Sequence, residues 1–106
     1  MSGNGKQQMV VTIRVKRRVA ELYKVILIKK GISITDDLVE HIKRQIKDYR
    51  LFANNLVIED QSFSKINIRI DRQLYTDYKI QMILNHTTPT ADTIRYLLQT
   101  IECNDN

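Results

Sequence analysis

Apolar residues occupy every second position in two stretches of the chain, Met9–Arg17 (MVVTIRVKR) and Ser64–Arg72 (SKINIRIDR). Val11, Ile13 and Val15 alternate with polar residues in the first, and Ile66, Ile68 and Ile70 in the second. That period marks a short strand with one buried and one solvated face. After the first strand, expected over Val10–Val15, the period lengthens. Val19, Leu22, Tyr23, Ile26 and Leu27 recur at steps of three and four, which predicts a helix from about Lys16 to Lys30. Lys29 and Lys30 suit the negative end of its dipole, and Gly31 supplies a left-handed stop. Ser33 is a good N-cap for a second helix, with Asp36 and Asp37 in its first turn. Leu38, Val39, Ile42 and Ile46 line its apolar face, and the pattern runs to about Leu51.

The same order returns further on. The second strand is followed by a helix over about Arg72–Asn85, with Leu74, Tyr78 and Met82 inward. A last helix then opens with Thr88 as cap and Pro89 at the first position, where its missing N–H costs nothing. Ile94, Leu97, Leu98 and Ile101 form the inner face of that helix. Val11–Ile46 slides onto Ile66–Ile101 at an offset of 55 without a gap. Ile13/Ile68, Arg14/Arg69, Arg17/Arg72, Tyr23/Tyr78, Lys24/Lys79, Thr35/Thr90, Asp37/Asp92 and Ile46/Ile101 are then identical. The pattern is that of an internal duplication. Asp77 and Gln81 stand where the first copy has Leu22 and Ile26, so the first helix of the second copy has the poorer apolar stripe.

A unit of roughly 40 residues is too small to bury its own core. The two copies are therefore expected to fold on each other as one compact domain, mostly α with a short two-stranded antiparallel β-ribbon. Residues 1–8 read as a disordered arm, 9–51 as the first repeat, 52–64 as a connector, 65–102 as the second repeat and 103–106 as a polar tail, with fraying expected from Glu102 on. The connector holds Leu56-Val57-Ile58 and is too apolar to be a free linker, so it should pack on the body.

Charge changes the picture more than composition does. The chain carries +5 overall, but residues 1–50 hold 12 Lys/Arg against 5 Asp/Glu and residues 51–106 hold 5 against 7. The basic first half points towards a polyanion. No apolar run approaches the ~18–20 residues of a membrane span, and the first residues lack the apolar core of a secretion signal. With a single cysteine, Cys103, no internal disulfide can form, and a reducing cytoplasmic setting is expected. No catalytic set stands out. His41 and His86 are not spaced as a metal pair, Asp36-Asp37 and Glu59-Asp60 suit a helix start and a loop, and no glycine-rich phosphate loop is present. Neither enzyme activity, metal nor cofactor is expected.

The alternating strands with Arg14 and Arg69, the step Gly31-Ile32-Ser33 and the cap segment Thr88-Pro89-Thr90 together resemble the ribbon-helix-helix family of DNA-binding proteins, the Arc/MetJ type. The likeness covers both copies, about 72 of the 106 residues. Two units in one chain are similar to the tandem arrangement of TraY-type accessory proteins of conjugative plasmids. His86 departs from the pattern, since the first copy has Gly31 there. The resemblance implies a ribbon lying in the major groove of double-stranded DNA, a role in plasmid transfer at the relaxosome, and possible contact with neighbouring copies or another plasmid-encoded protein. Transcriptional repression or autoregulation, and an antitoxin-like protein-binding module, are the alternatives.

Strand parity assigns the faces independently. Val11, Ile13, Val15, Ile66, Ile68 and Ile70 point onto the helices; Val10, Thr12, Arg14, Lys65, Asn67 and Arg69 point out. Arg and Lys suit guanine O6/N7, Asn suits adenine, and Thr or Val suits a thymine methyl. The outward sets of the two strands differ, so a non-palindromic site is expected. Phosphate contacts are expected at the starts of the second helices, Ser33, Ile34, Thr35 and Thr88, Pro89, Thr90, with Pro89 unable to donate. Lys16, Arg17, Arg18 and Arg72 are further phosphate candidates flanking the strands. The ribbon can close within one chain or between chains. The 18 residues between Ile46 and Lys65 span ~60 Å when extended, so closure within one chain is feasible and is the expectation here.

Overall fold

The computed structural model describes residues 7–104. In chain order these form β1 (Gln8–Lys16), α1 (Arg17–Lys30), α2 (Ile34–Lys47), β2 (Phe63–Asp71), α3 (Arg72–Leu84) and α4 (Pro89–Cys103). The described chain is mostly helical, with one two-stranded antiparallel sheet. The arm expected over residues 1–8 lies outside the described residues as far as position 6, and Gln8 belongs to β1. Residues 105–106 of the expected tail also lie outside them.

The strands pair from Gln8↔Asp71 to Lys16↔Phe63, with Thr12 opposite Asn67 at the middle. Both run beyond the alternating core that marks them in the sequence. The ends are held because the first N–H of each following helix donates across the ribbon: Arg17 to the Ser62 carbonyl (3.0 Å) and Arg72 to the Gln7 carbonyl (2.8 Å). All six inward residues, Val11, Ile13, Val15, Ile66, Ile68 and Ile70, are buried. A two-stranded ribbon is marginal alone. Here its apolar face joins the core that Tyr23, Leu27, Leu38, Tyr78, Met82 and Leu97 supply from the helices. Each such side chain contributes about 1.5–3 kcal/mol by leaving water.

Both first helices end in the left-handed backbone region. Gly31 has φ 70°, with its N–H on the Ile28 carbonyl and that of Ile32 on the Leu27 carbonyl. His86 has φ 59°, with its N–H on the Ile83 carbonyl and that of Thr87 on the Met82 carbonyl. The non-glycine residue thus adopts the same stop, and α3 ends at Leu84 rather than including Asn85. α2 stops at Lys47, short of Leu51. The buried Gln45 amide explains this, because it accepts from the Arg50 N–H (2.9 Å) and donates to the Arg50 carbonyl (2.8 Å), turning the chain out of the helix. α4 continues through Cys103, so Glu102 and Cys103 of the expected frayed tail are helical.

The connector between α2 and β2 has no regular structure but packs on the body, as its composition suggests. Leu56 and Ile58 lie against the core, and Phe52 sets its edge against His41 and Tyr96 at centroid distances of 5.3 and 5.5 Å. Asp60 of the connector accepts the Arg18 N–H (2.8 Å) and so caps α1, whose own N-cap Lys16 makes no side-chain cap. In α3 that task falls to the N-cap itself, Asp71, which accepts from the Leu74 N–H (3.0 Å). No helix among the described residues is long and apolar enough to cross a membrane.

Candidate nucleic-acid interface

The outer face of the ribbon presents Val10, Thr12 and Arg14 from β1 beside Lys65, Asn67 and Arg69 from β2, all exposed. Val10 lies opposite Arg69, Thr12 opposite Asn67 and Arg14 opposite Lys65. The six predicted residues therefore form one contiguous surface carrying three cations and no acid. The Thr12 hydroxyl donates to Asn67 Oδ1 at 2.7 Å. This leaves the second lone pair of that oxygen and both Nδ2 hydrogens for an outside partner. The Arg14 guanidinium sits 4.3 Å from the centre of the Phe63 ring.

The same parity extends one pair further than the sequence stretches suggest. Gln8 and Phe63 are also exposed at the ribbon ends and were not among the predicted contacts. Counting outward in steps of two from Val10 and Lys65 reaches both, so the signal was present in the alternation.

The second-helix starts are arranged as their caps imply. Ser33 Oγ accepts from the Asp36 N–H (3.0 Å) and Thr88 Oγ1 from the Ala91 N–H (3.1 Å). Ile34 and Thr35 at the first two positions of α2 therefore have N–H groups outside the helical ladder, whereas Pro89 has none and Thr90 has one. Ser33, Thr88 and Thr90 are exposed, while Ile34, Thr35 and Pro89 are partly covered. Asp37 turns away from the α2 start: it accepts hydrogen bonds from the Tyr23 hydroxyl (2.5 Å) and the Tyr96 hydroxyl (2.9 Å). Asp36 remains exposed at the α2 start, and α4 has Ala91 in its place. Among the described residues, no hydrogen bond links these helix starts to the ribbon's outer residues, so they stand as separate patches.

Of the flanking cations, Arg17, Arg18 and Arg72 are exposed. Arg18 lies 3.8 Å from Glu21. Lys16 is half-buried and donates to the Ile58 carbonyl at 3.0 Å, which ties it to the connector. The neighbouring Asp60 carboxyl is held below the usual range by the N–H groups of Ser62 and Arg18, with Arg17 and Lys16 adding to the effect. That carboxylate offsets part of the positive charge at this end of β1.

Beneath the ribbon lies a polar network that strand and helix periodicity did not reveal. Asp92, fully buried, receives the Tyr78 hydroxyl (2.5 Å), Gln45 Nε2 (2.7 Å) and the His41 ring at Nε2 (2.8 Å). Burial pushes its carboxyl up, but the bonds from His41 and Tyr78, the His41 charge and the Gln45 bond outweigh it, and the net direction is down. Burial first, and then the bonded carboxylate, raise Tyr23 and Tyr78 well above the usual phenol range; Tyr96 is pushed up to about 12 by burial and Asp37. These carboxylates bind helices together, Asp37 joining α2 to α1 and α4 and Asp92 joining α4 to α2 and α3. His41 is enclosed with them and His86 lies exposed at the α3 end, and no group of three metal-ligating side chains occurs among the described residues.

No protein-family model, curated protein or solved structure matches the chain.

Proposed function

We propose that this protein binds double-stranded DNA sequence-specifically by laying its ribbon in the major groove, and that it does so as a single-chain pseudodimer of two ribbon-helix-helix units. One observation carries the reading: an exposed antiparallel ribbon whose outer face combines Arg14, Lys65 and Arg69 with Thr12 and Asn67 and bears no carboxylate at those six positions. A groove about 12 Å wide accepts a two-stranded ribbon, and these side chains are the types that read base edges.

The pseudodimer is supported by contacts that repeat at the offset of 55. Thr12 and Asn67, equivalent in the two copies, meet at the centre of the ribbon. Tyr23–Asp37 recurs as Tyr78–Asp92, the Arg17–Ser62 bond as Arg72–Gln7, and the Gly31 stop as His86. The N–H groups of Ile34, Thr35 and Thr90, with Arg17, Arg18 and Arg72, serve as phosphate contacts in this reading. The resemblance to tandem TraY-type proteins supports a cytoplasmic role at a plasmid transfer origin, with repression of its own operon as the second use of the same interface. An antitoxin-like role has less behind it, since Phe52, Leu56 and Ile58 of the connector pack inward and leave Leu51 and Val57 exposed.

The test is selection from a random duplex DNA pool at two salt concentrations, with the mass of the complex measured. The expected result is a short asymmetric motif bound by one chain, with affinity falling as salt rises. Binding without sequence preference, or a palindromic motif bound by two chains, would overturn the reading.

A further inference from the structure

The two ends of the ribbon are chemically unequal. At one end lie Arg14, Lys16, Lys65 and Phe63, three cations and an aromatic ring, with the Asp60 carboxylate of the connector beside Lys16. At the other lie Gln8, Val10, Arg69 and Asp71, with no aromatic ring among them and with the Asp71 carboxylate capping α3. Arg14 and Arg69 occupy equivalent positions at the offset of 55, so the difference lies in what surrounds them. Phe63 is half exposed (52 %) and holds the Arg14 guanidinium over its face at 4.3 Å, whereas the position equivalent to Phe63 is Gln8, which has no ring to offer Arg69.

We infer that Phe63 is a specificity-determining residue of the DNA interface: by stacking under Arg14 it fixes that guanidinium for one base step and makes the ribbon bind its site in one orientation. The inference rests on the DNA-binding reading and adds a direction and a residue to it. A free arginine on a strand loses rotamer entropy when it pairs with a base edge. One already stacked on a ring loses less and presents its planar donor fork at a set angle. Phe63 also lies on the outer face itself, two residues beyond Lys65 along β2, where its edge can meet a thymine methyl. The Arg14 end therefore reads a guanine with a neighbouring thymine tightly, and the Arg69 end discriminates less. A site with one strong and one weak half is bound one way round.

The experiment compares enriched motifs from a random duplex DNA pool for the wild-type chain, Phe63→Leu, Phe63→Tyr and Gln8→Phe, with thermal melts alongside. Phe63→Leu is expected to lower base discrimination in one half of the motif by about two- to fivefold, the size of an exposed cation–π contact, and to leave the other half unchanged. Phe63→Tyr retains the discrimination because it keeps the ring. Gln8→Phe, at an exposed position of β1, sharpens the weak half. An unchanged motif in both Phe63→Leu and Gln8→Phe, or equal flattening of both halves by Phe63→Leu with an unchanged melt, overturns the inference and leaves DNA binding standing. A wild-type chain that enriches no motif removes the DNA-binding reading and this inference with it.

Discussion

His41 lies flat against Tyr96, with ring centroids 4.0 Å apart and planes inclined by 18°, joining α2 to α4. The two residues stand 55 apart and so hold the same place in the two halves of the chain. Each also reaches the acid of the opposite half: His41 Nε2 lies 2.8 Å from Asp92 Oδ2, and the Tyr96 hydroxyl donates to Asp37 Oδ2 at 2.9 Å. One half carries an imidazole where the other carries a phenol, and the acid that the imidazole meets is the more deeply buried of the two. The helices below the ribbon are thus locked by polar side chains as well as by apolar packing.

Asp92→Asn should destabilise the fold by about 3 kcal/mol, measured by urea unfolding at neutral pH, because the bonds from His41, Tyr78 and Gln45 lose their ionised acceptor and an amide NH2 replaces one of its two oxygens. The pH dependence has a definite sign. The folded carboxyl titrates below its unfolded value, so its contribution is complete above about pH 4 and disappears as pH falls through the lowered folded value. The wild-type chain should therefore lose stability more steeply than Asp92→Asn on acidification below about pH 4. Parallel acid limbs in the two proteins would contradict the assignment.

Alkaline behaviour follows from the phenols. Tyr23 and Tyr78 are raised well above their usual range and Tyr96 to about 12, chiefly by burial. A raised folded value means that the stabilisation is complete below the unfolded value, about pH 10, and is lost as pH climbs. Absorbance at the phenolate band should show Tyr23 and Tyr78 ionising together with the unfolding transition rather than before it. Ionisation of both tyrosines while the far-ultraviolet circular dichroism remains native would show that these hydroxyls are reachable in the fold.

The two helix stops offer a paired test of backbone conformation. Gly31 has φ 70° and open space where a Cβ would stand, so Gly31→Ala meets no clash and its cost is conformational, about 1 kcal/mol. His86, at φ 59° in the equivalent stop, already bears that cost. His86→Gly should raise stability by an amount of similar size, about 0.5–1 kcal/mol, despite the greater freedom glycine has in the unfolded chain. Thermal melts of the two variants should shift in opposite directions.

Strand parity was the most legible feature of the sequence. It placed all six inward residues in the core and all six outward residues on one face, while helical spacing placed Tyr23 and Tyr78 in the interior. Interactions between side chains distant in sequence left no periodic trace. Asp92 reads as an ordinary first-turn acid until the fold brings His41 and Gln45, 51 and 47 positions away, against it. Asp60 reads as a loop residue until its carboxylate is found capping α1. The early end of α2 belongs to the same class, since it depends on how the Gln45 amide meets the Arg50 backbone. Phe63 was missed for a simpler reason: the alternation reaches it, but the apolar positions that reveal the strand begin only at Ile66.

Arg14 and Arg69 provide the most direct test of the ribbon's purpose. Both are exposed on its outer face, and neither makes an ion pair among the described residues, so removing them should leave the fold intact. Arg14→Ala and Arg69→Ala are each expected to lower affinity for the selected site by about 1–3 kcal/mol, the range for a lost base contact. Binding to unrelated duplex DNA should weaken much less. A phosphate contact would behave differently, weakening all sequences alike and reducing the slope of affinity against salt by about one. Arg17→Ala should follow that second pattern, because it leaves β1 at the helix start rather than on the outer face of the ribbon. Measuring selected and unrelated duplexes over a salt series therefore separates the two classes of contact. Equal loss on both duplexes for Arg14→Ala and Arg69→Ala would mean that the ribbon binds backbone only, and the sequence reading would have to come from elsewhere on the protein.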